Sequence, residues 1–184
     1  AIPPDLALIA CVRRADAWAL SMHKKPWHTT PALQSLEFGE FIRAEWDTVV
    51  DRPRYFEKTA PMDAIGQPLQ HDRDPLTGAR FANLFALRRA KLTGLLSYLQ
   101  RDCTVILLRM EDAQSAPEMT LDALRAGLGL PPREADFAPV LKRLGSKFKP
   151  AVEARPATPK KMGAFGMKFM RKHLDLAQEA ALGY

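Results

Sequence analysis

An arginine at position 13 and a serine at position 21 close the apolar run in "LALIACVRRADAWALSMHKKPWH", residues 6–28. A guanidinium offers a planar fork of N–H donors to two phosphate oxygens, and a serine hydroxyl can add a third donor. A strand ending near residue 12 and a helix entered soon after would set Arg13 at the strand's end and Ser21 about a turn and a half along the helix. Ligands of parallel α/β sheets sit at the carboxyl ends of the strands, where helix N-termini present unbonded amides. The spacing therefore makes the two residues candidates for gripping one anion. Taken alone, a strand-ending arginine and a small packing serine account for them more simply.

The elements that must position them follow from pattern. "LALIACV" is continuously apolar, which suits a strand buried on both faces of a parallel sheet, with Pro3 and Pro4 as the turn before it. Asp16 is a candidate N-cap for a helix over residues 17–22, and Pro26 breaks it. "SLEFGEFIRAEWDTVV" places apolar residues at 38, 41, 42, 46 and 49, a helical spacing, with Ser35 as a cap candidate. Residues 51–79, rich in Pro, Gly and Asp, read as a long loop of the kind that often carries function. The clearest helix spans 81–100: Phe81, Leu84, Phe85, Leu92, Leu95, Leu96 and Leu99 form its stripe, with Arg88, Arg89 and Lys91 off it. A second apolar strand covers 103–109. Ser115 and Glu118 suggest a capping box ahead of a helix that Gly127, Gly129 and Pro131–Pro132 end. Strands alternating with helices predict an α/β fold with a parallel sheet flanked by helices.

The chain has 184 residues, 47% of them hydrophobic and 26% charged, the profile of a globular protein. No apolar run reaches the roughly 20 residues of a membrane helix, and no signal peptide is predicted, so a cytoplasmic protein is expected. Cys11 and Cys103 are expected as buried thiols rather than a disulfide. Charge is uneven: residues 141–173 hold ten Lys and Arg against Glu153 alone, a net of +9 in a chain of net +6, leaving −3 elsewhere. A domain over 1–140 and a basic segment over 141–184 with a final helix, packed on that domain, are expected. Such a segment points to an anionic partner: a phosphorylated ligand, nucleic acid or a membrane surface. A solvated face with no partner is the plain alternative.

"VRRADAWALSMHKKPWH" resembles the V-R-N-P-x-x-W-x-x-S segment of the bacterial sulfotransferase family, with Val12, Arg13, Trp18 and Ser21 in register. Arg14 and Ala15 stand where the family has Asn and Pro. "LEFGEFIRAEW" is similar to the family's following helix. The stretch from "LFALRRAKLTGLLSYLQ" through "CTVILLRMED" to "GLGLP" resembles its later helix and strand, with Glu111 and Asp112 kept and Met110 in place of Tyr. The likeness covers roughly residues 6–131. "KKMGAFGMKF" echoes the family's R-K-G-x-x-G-x-W-K loop through Lys161, Gly163 and Gly166, with Met162 replacing Lys and no Trp.

The resemblance implies a P-loop NTPase-like fold and transfer of a sulfuryl group from 3′-phosphoadenosine 5′-phosphosulfate, a co-substrate, to a hydroxyl or amine. It implies that Arg13, Ser21, Lys161, Gly163 and Gly166 bind the donor's 3′-phosphate. It leaves His23, Trp27 and His28, with residues 51–79, at an acceptor edge. The pattern G-x-x-x-x-G-K-[ST] does not occur, and the family's phosphate loop and catalytic base lie upstream of its matching Arg, so the expected likeness is to a fold lacking that first unit and no base is assigned. The four histidines form no metal-ligand spacing with the cysteines or carboxylates, and no nucleic-acid module is recognisable. The rival reading is a non-catalytic relative, an interaction module whose basic segment docks on an acidic partner.

Overall fold

The computed structural model describes residues 5–51, 62–141 and 147–184. Pro3, Pro4, Lys142, Arg143 and residues 52–61 of the long loop lie outside them. The element order is β1 (Ala7–Val12), α1 (Ala15–Lys24), α2 (Pro31–Gln34), α3 (Phe38–Phe41), α4 (Leu84–Leu96), β2 (Thr104–Arg109), α5 (Met110–Ser115), α6 (Pro117–Gly127), α7 (Ala164–His173) and α8 (Leu176–Ala181). The fold is α/β: β1 and β2 pair in parallel, from Ala7 opposite Thr104 to Val12 opposite Arg109. Parallel pairing needs a long crossover, and residues 13–103 supply it. The chain gathers into two compact units, each assembled from separated stretches: residues 1–14, 92–147 and 177–184, and residues 15–91 with 148–176.

In the first unit the β1–β2 pair rests on a small apolar cluster in which Val12, Leu92 and Leu182 are buried and Leu95, Leu96, Leu107 and Tyr184 are partly covered. The expectation of a strand buried on both faces is corrected here. Only Ala10 and Val12 of β1 are buried, while Ala7, Ile9 and Cys11 alternate to solvent, with Ile9 47% exposed. Cys11 is an exposed free thiol and Cys103 a partly covered one, so neither is the buried cysteine expected. Leu95 and Leu96 are half-buried rather than core, and Leu99 is 54% exposed. α6 ends where expected, with Gly129 in the left-handed region at φ 66°. No capping box starts it. Ala116 is its N-cap, and the Ser115 hydroxyl instead donates back to the Asp112 carbonyl in α5.

The second unit carries the larger core: Phe41, Ile42, Trp46, Leu84, Phe85 and Ala19 are fully buried, joined by Leu33, Leu87, Met162 and Met170. α1 starts at Ala15, which places Asp16 in the first turn rather than at the cap. The long helix read from residue 36 shrinks to α3, because Glu37 caps it and the Glu40 carboxylate accepts from the Glu37 amide. Ser35 ends α2, donating to the Pro31 carbonyl. Residues 46–49 run extended instead, bridging Thr29, Pro68 and Phe81. Apolar spacing at 38, 41, 42, 46 and 49 is thus met half by a helical turn and half by an extended segment whose alternate residues Trp46, Thr48 and Val50 are buried.

α4 begins at Leu84, not at residue 81, because the Asn83 side chain accepts from the amides of Phe85 and Ala86. Its inward face includes Arg88, 4% exposed, whose guanidinium lies 5.3 Å from the Trp18 ring centroid. That arginine was expected off the stripe. A planar, weakly hydrated cation covered by an indole can be accommodated where a lysine ammonium would not. Residues 148–162 are laid on α1 and α2 by side-chain bonds. The Ala151 amide donates to Gln34 Oε1 at 2.8 Å, and Arg155 donates to the carbonyls of His23, Lys24 and Gln34.

Candidate functional site

The carboxyl ends of β1 and β2 bring together the polar residues of the first unit. Arg13 and Arg14 follow β1 directly; Arg109 is the last residue of β2, and Glu111 and Asp112 lie in the first turn of α5. The Asp112 carboxylate accepts from one edge of the Arg109 guanidinium, from Nε at 2.7 Å and Nη2 at 3.2 Å, while Arg109 Nη1 donates to the Gly183 carbonyl. Gly183 is at φ 79°, and a Cβ there would lie 3.1 Å from Arg109 Nη1, so a side chain would be both strained and crowded. Glu111 accepts from the Arg14 amide at 3.0 Å and from the Tyr184 hydroxyl at 2.7 Å. Burial pushes the Glu111 carboxyl up, but these two bonds, its own amide and the Arg13 charge outweigh it and hold the group below its ordinary value.

Arg13, Arg14 and Arg109 stand at this sheet end with Glu111 and Asp112. The Arg109–Asp112 pair is neutral and bidentate, and Glu111 is stabilised as an anion by hydrogen bonds. Arg13 is half-buried and its charge acts on Glu111, so the chemistry such guanidinium groups offer is anion binding and positioning. Ser21 lies on α1 in the other unit, exposed.

The residues expected at an acceptor edge occupy one corner of the second unit. His23 is 1% exposed, and its ring meets Phe38 and Phe41 edge-on at centroid distances of 5.6 and 5.0 Å. Nε2 faces the Leu36 carbonyl at 3.0 Å and must carry the proton, so Nδ1 accepts from the Thr158 hydroxyl at 2.7 Å. Burial is the chief reason that this imidazole is held below the ordinary histidine value, and the nearby Arg155 charge adds to the effect. A neutral, doubly bonded, aromatic-packed imidazole is a structural group. His28 is different: half-buried, at φ 63°, with Nδ1 2.6 Å from Asp51 Oδ1. Trp27, next to it, packs edge-on against Phe148 at 5.4 Å, and Arg155 lies over the other ring of that pair at 5.3 Å.

Lys161 is exposed; Gly163 is the N-cap of α7. Gly166 lies inside α7, where a Cβ would stand 2.7 Å from Met162 Cγ and 3.6 Å from Ile42 Cδ1. Its missing side chain is what lets the helix close on Met162 and Ile42. Sequence reading did not single out Glu111, Tyr184, Asn83, Thr158, Gln34 or Asp51 for these roles. Glu111 alone had a signal, as a retained acid directly after an apolar strand. Among the described residues no group of three or more His, Cys, Asp and Glu is arranged to hold a metal ion, and no helix is long and apolar enough to cross a membrane.

No family model, no curated protein and no solved structure matches this chain.

Proposed function

We propose that this chain is a sulfotransferase-like protein of P-loop NTPase-like fold, binding the 3′-phosphate end of 3′-phosphoadenosine 5′-phosphosulfate for sulfuryl transfer to a hydroxyl or amine. The observation that carries the proposal is Arg13 placed directly after β1, at the carboxyl end of a parallel strand pair. That is the position where an α/β sheet binds an anionic nucleotide. The donor supplies the sulfuryl group. In this reading Arg13 holds phosphate oxygens, and the roles of Ser21, Lys161, Gly163 and Gly166 follow from the family resemblance alone. The His28–Asp51 corner with Trp27 borders the acceptor. A general base is not assigned, and the reading implies a cytoplasmic protein.

A second reading is favoured by one observation. Lys160, Lys161, Lys168, Arg171 and Lys172 make no ion pair among the described residues, which suits a sulfotransferase-like module whose basic segment docks on an acidic partner without catalysis.

Calorimetric titration with adenosine 3′,5′-bisphosphate, the donor's desulfated nucleotide, tests the first reading. The expected outcome is saturable binding that Arg13→Ala weakens about ten- to a hundredfold, the worth of a charge-assisted contact to a dianion. Ser21→Ala is expected to cost less, because a neutral hydroxyl bonds more weakly than a guanidinium. No binding, or binding that Arg13→Ala leaves unchanged, overturns it.

A further inference from the structure

α7 presents one flank to solvent and packs the other. At about 100° per residue, Ala164, Phe165, Lys168, Arg171 and Lys172 fall within roughly 120° of arc, and all five are exposed. Met170 is buried on the opposite flank, with Met167, Phe169 and His173 partly covered beside it. The outward flank carries three cations and no acid. Lys160 and Lys161 precede it, and Arg43 joins it from α3's end, donating to the Phe165 carbonyl at 3.3 Å with its guanidinium over the Phe169 ring. Phe165 stands among these cations 85% exposed. An exposed aromatic ring at one edge of a cationic flank is complementary to a surface that is apolar beneath and anionic above.

We propose that this flank of α7 docks on an anionic lipid surface, the Phe165 ring entering the headgroup boundary while Lys168, Arg171 and Lys172 meet lipid phosphates and carboxylates. The flank has the composition of an interfacial amphipathic helix: cations beside an aromatic ring, on one side of a short helix. Its side chains include no Ser, Thr, Asn or Gln that could read a base or a peptide backbone. Two of its three cations are lysines, point charges with flexible stems that reach a diffuse anionic plane. The nearest acid along the chain is Asp175, in the turn after α7. The proposal rests on α7 alone and stands or falls independently of nucleotide binding at Arg13.

Co-sedimentation with vesicles decides it. At about 0.1 M salt the whole chain is expected to pellet with phosphatidylcholine vesicles containing phosphatidylserine and to stay in solution with phosphatidylcholine alone. Each cation reversed is expected to weaken binding about fivefold or more, so that Lys168→Glu with Lys172→Glu weakens it at least about 25-fold. Phe165→Ser is expected to weaken it about fivefold or more without any change of charge. All three sites are exposed, and unchanged circular dichroism and melting would show that the variants fold. Equal pelleting with both vesicle types, or binding that both variants leave intact, overturns the proposal. So does tighter binding to a short oligonucleotide or to polyglutamate than to the vesicles, with Phe165→Ser neutral; that result would assign the flank to a polyanion.

Discussion

His23 is the residue whose role the structure changes most. The resemblance leaves His23 at an acceptor edge, yet here both nitrogens are hydrogen-bonded and the ring is packed by Phe38 and Phe41. The consequence is a pH dependence with a definite sign. Its folded-state value is lowered from about 6.5, chiefly by burial. As pH falls below that ordinary value, the unfolded chain takes up a proton that folded His23 resists, so stability is full above it and declines toward the lowered folded value. Thermal melts from pH 8 to pH 5 are expected to show a loss for the wild type that is smaller for His23→Gln. Parallel curves for the two proteins would contradict the neutral-imidazole assignment. Thr158→Val, which leaves Nδ1 buried without a donor, is expected to cost about 1–3 kcal/mol at neutral pH.

At the scale of elements, α4 shows how one helix can follow a single apolar stripe in sequence and divide it in space. Leu84 and Phe85 are fully buried with Leu87 in the larger core, while Leu95 and Leu96 are only half-covered beside Val12 and Leu92. A Leu→Ala substitution costs the lost transfer energy plus that of the cavity left behind. Leu84→Ala is therefore expected to cost about 3–5 kcal/mol and Leu95→Ala about 1–2 kcal/mol, because a half-exposed site opens to water instead of leaving a void. Chemical denaturation of both variants checks the order. Equal costs would mean that Leu95 is as enclosed as Leu84.

At the scale of the whole molecule, the two compact units differ in what holds them. One has a core of aromatic and aliphatic residues tied further by the Arg155 and Gln34 bonds. The other has only the small buried cluster of Val12, Leu92 and Leu182, with Ala10 also buried, and its strand β1 turns Ile9 to solvent. Local opening free energy scales with buried apolar contact and with protected backbone bonds. Hydrogen–deuterium exchange is expected to find the slowest amides at Phe41–Ile42 and Leu84–Leu87, and faster exchange across β1. The reverse order would show that the strand pair is the more stable nucleus.

The parallel strands, expected at 6–12 and 103–109 and found at 7–12 and 104–109, a helix within 81–100 and the glycine stop of α6 were legible in the sequence, because each is specified by local pattern: a continuous apolar run, a 3.6-residue stripe, a left-handed glycine. The site at the strand ends was legible in Arg13 alone. Its surroundings were not, since the Arg14 amide and Tyr184 hydroxyl reach Glu111 across 97 and 73 residues of chain. Local pattern also failed where a polar side chain set the start of a helix, as Glu37 and Asn83 do, or where burial fell on residues that periodicity placed outside, as with Arg88. Sequence by itself determined which segments could become strand and helix and where cations gather. Tertiary structure decided which face of each is covered, and so whether a histidine is a reagent or a packed neutral ring, because burial and hydrogen-bond partners are properties of chain brought together from far apart.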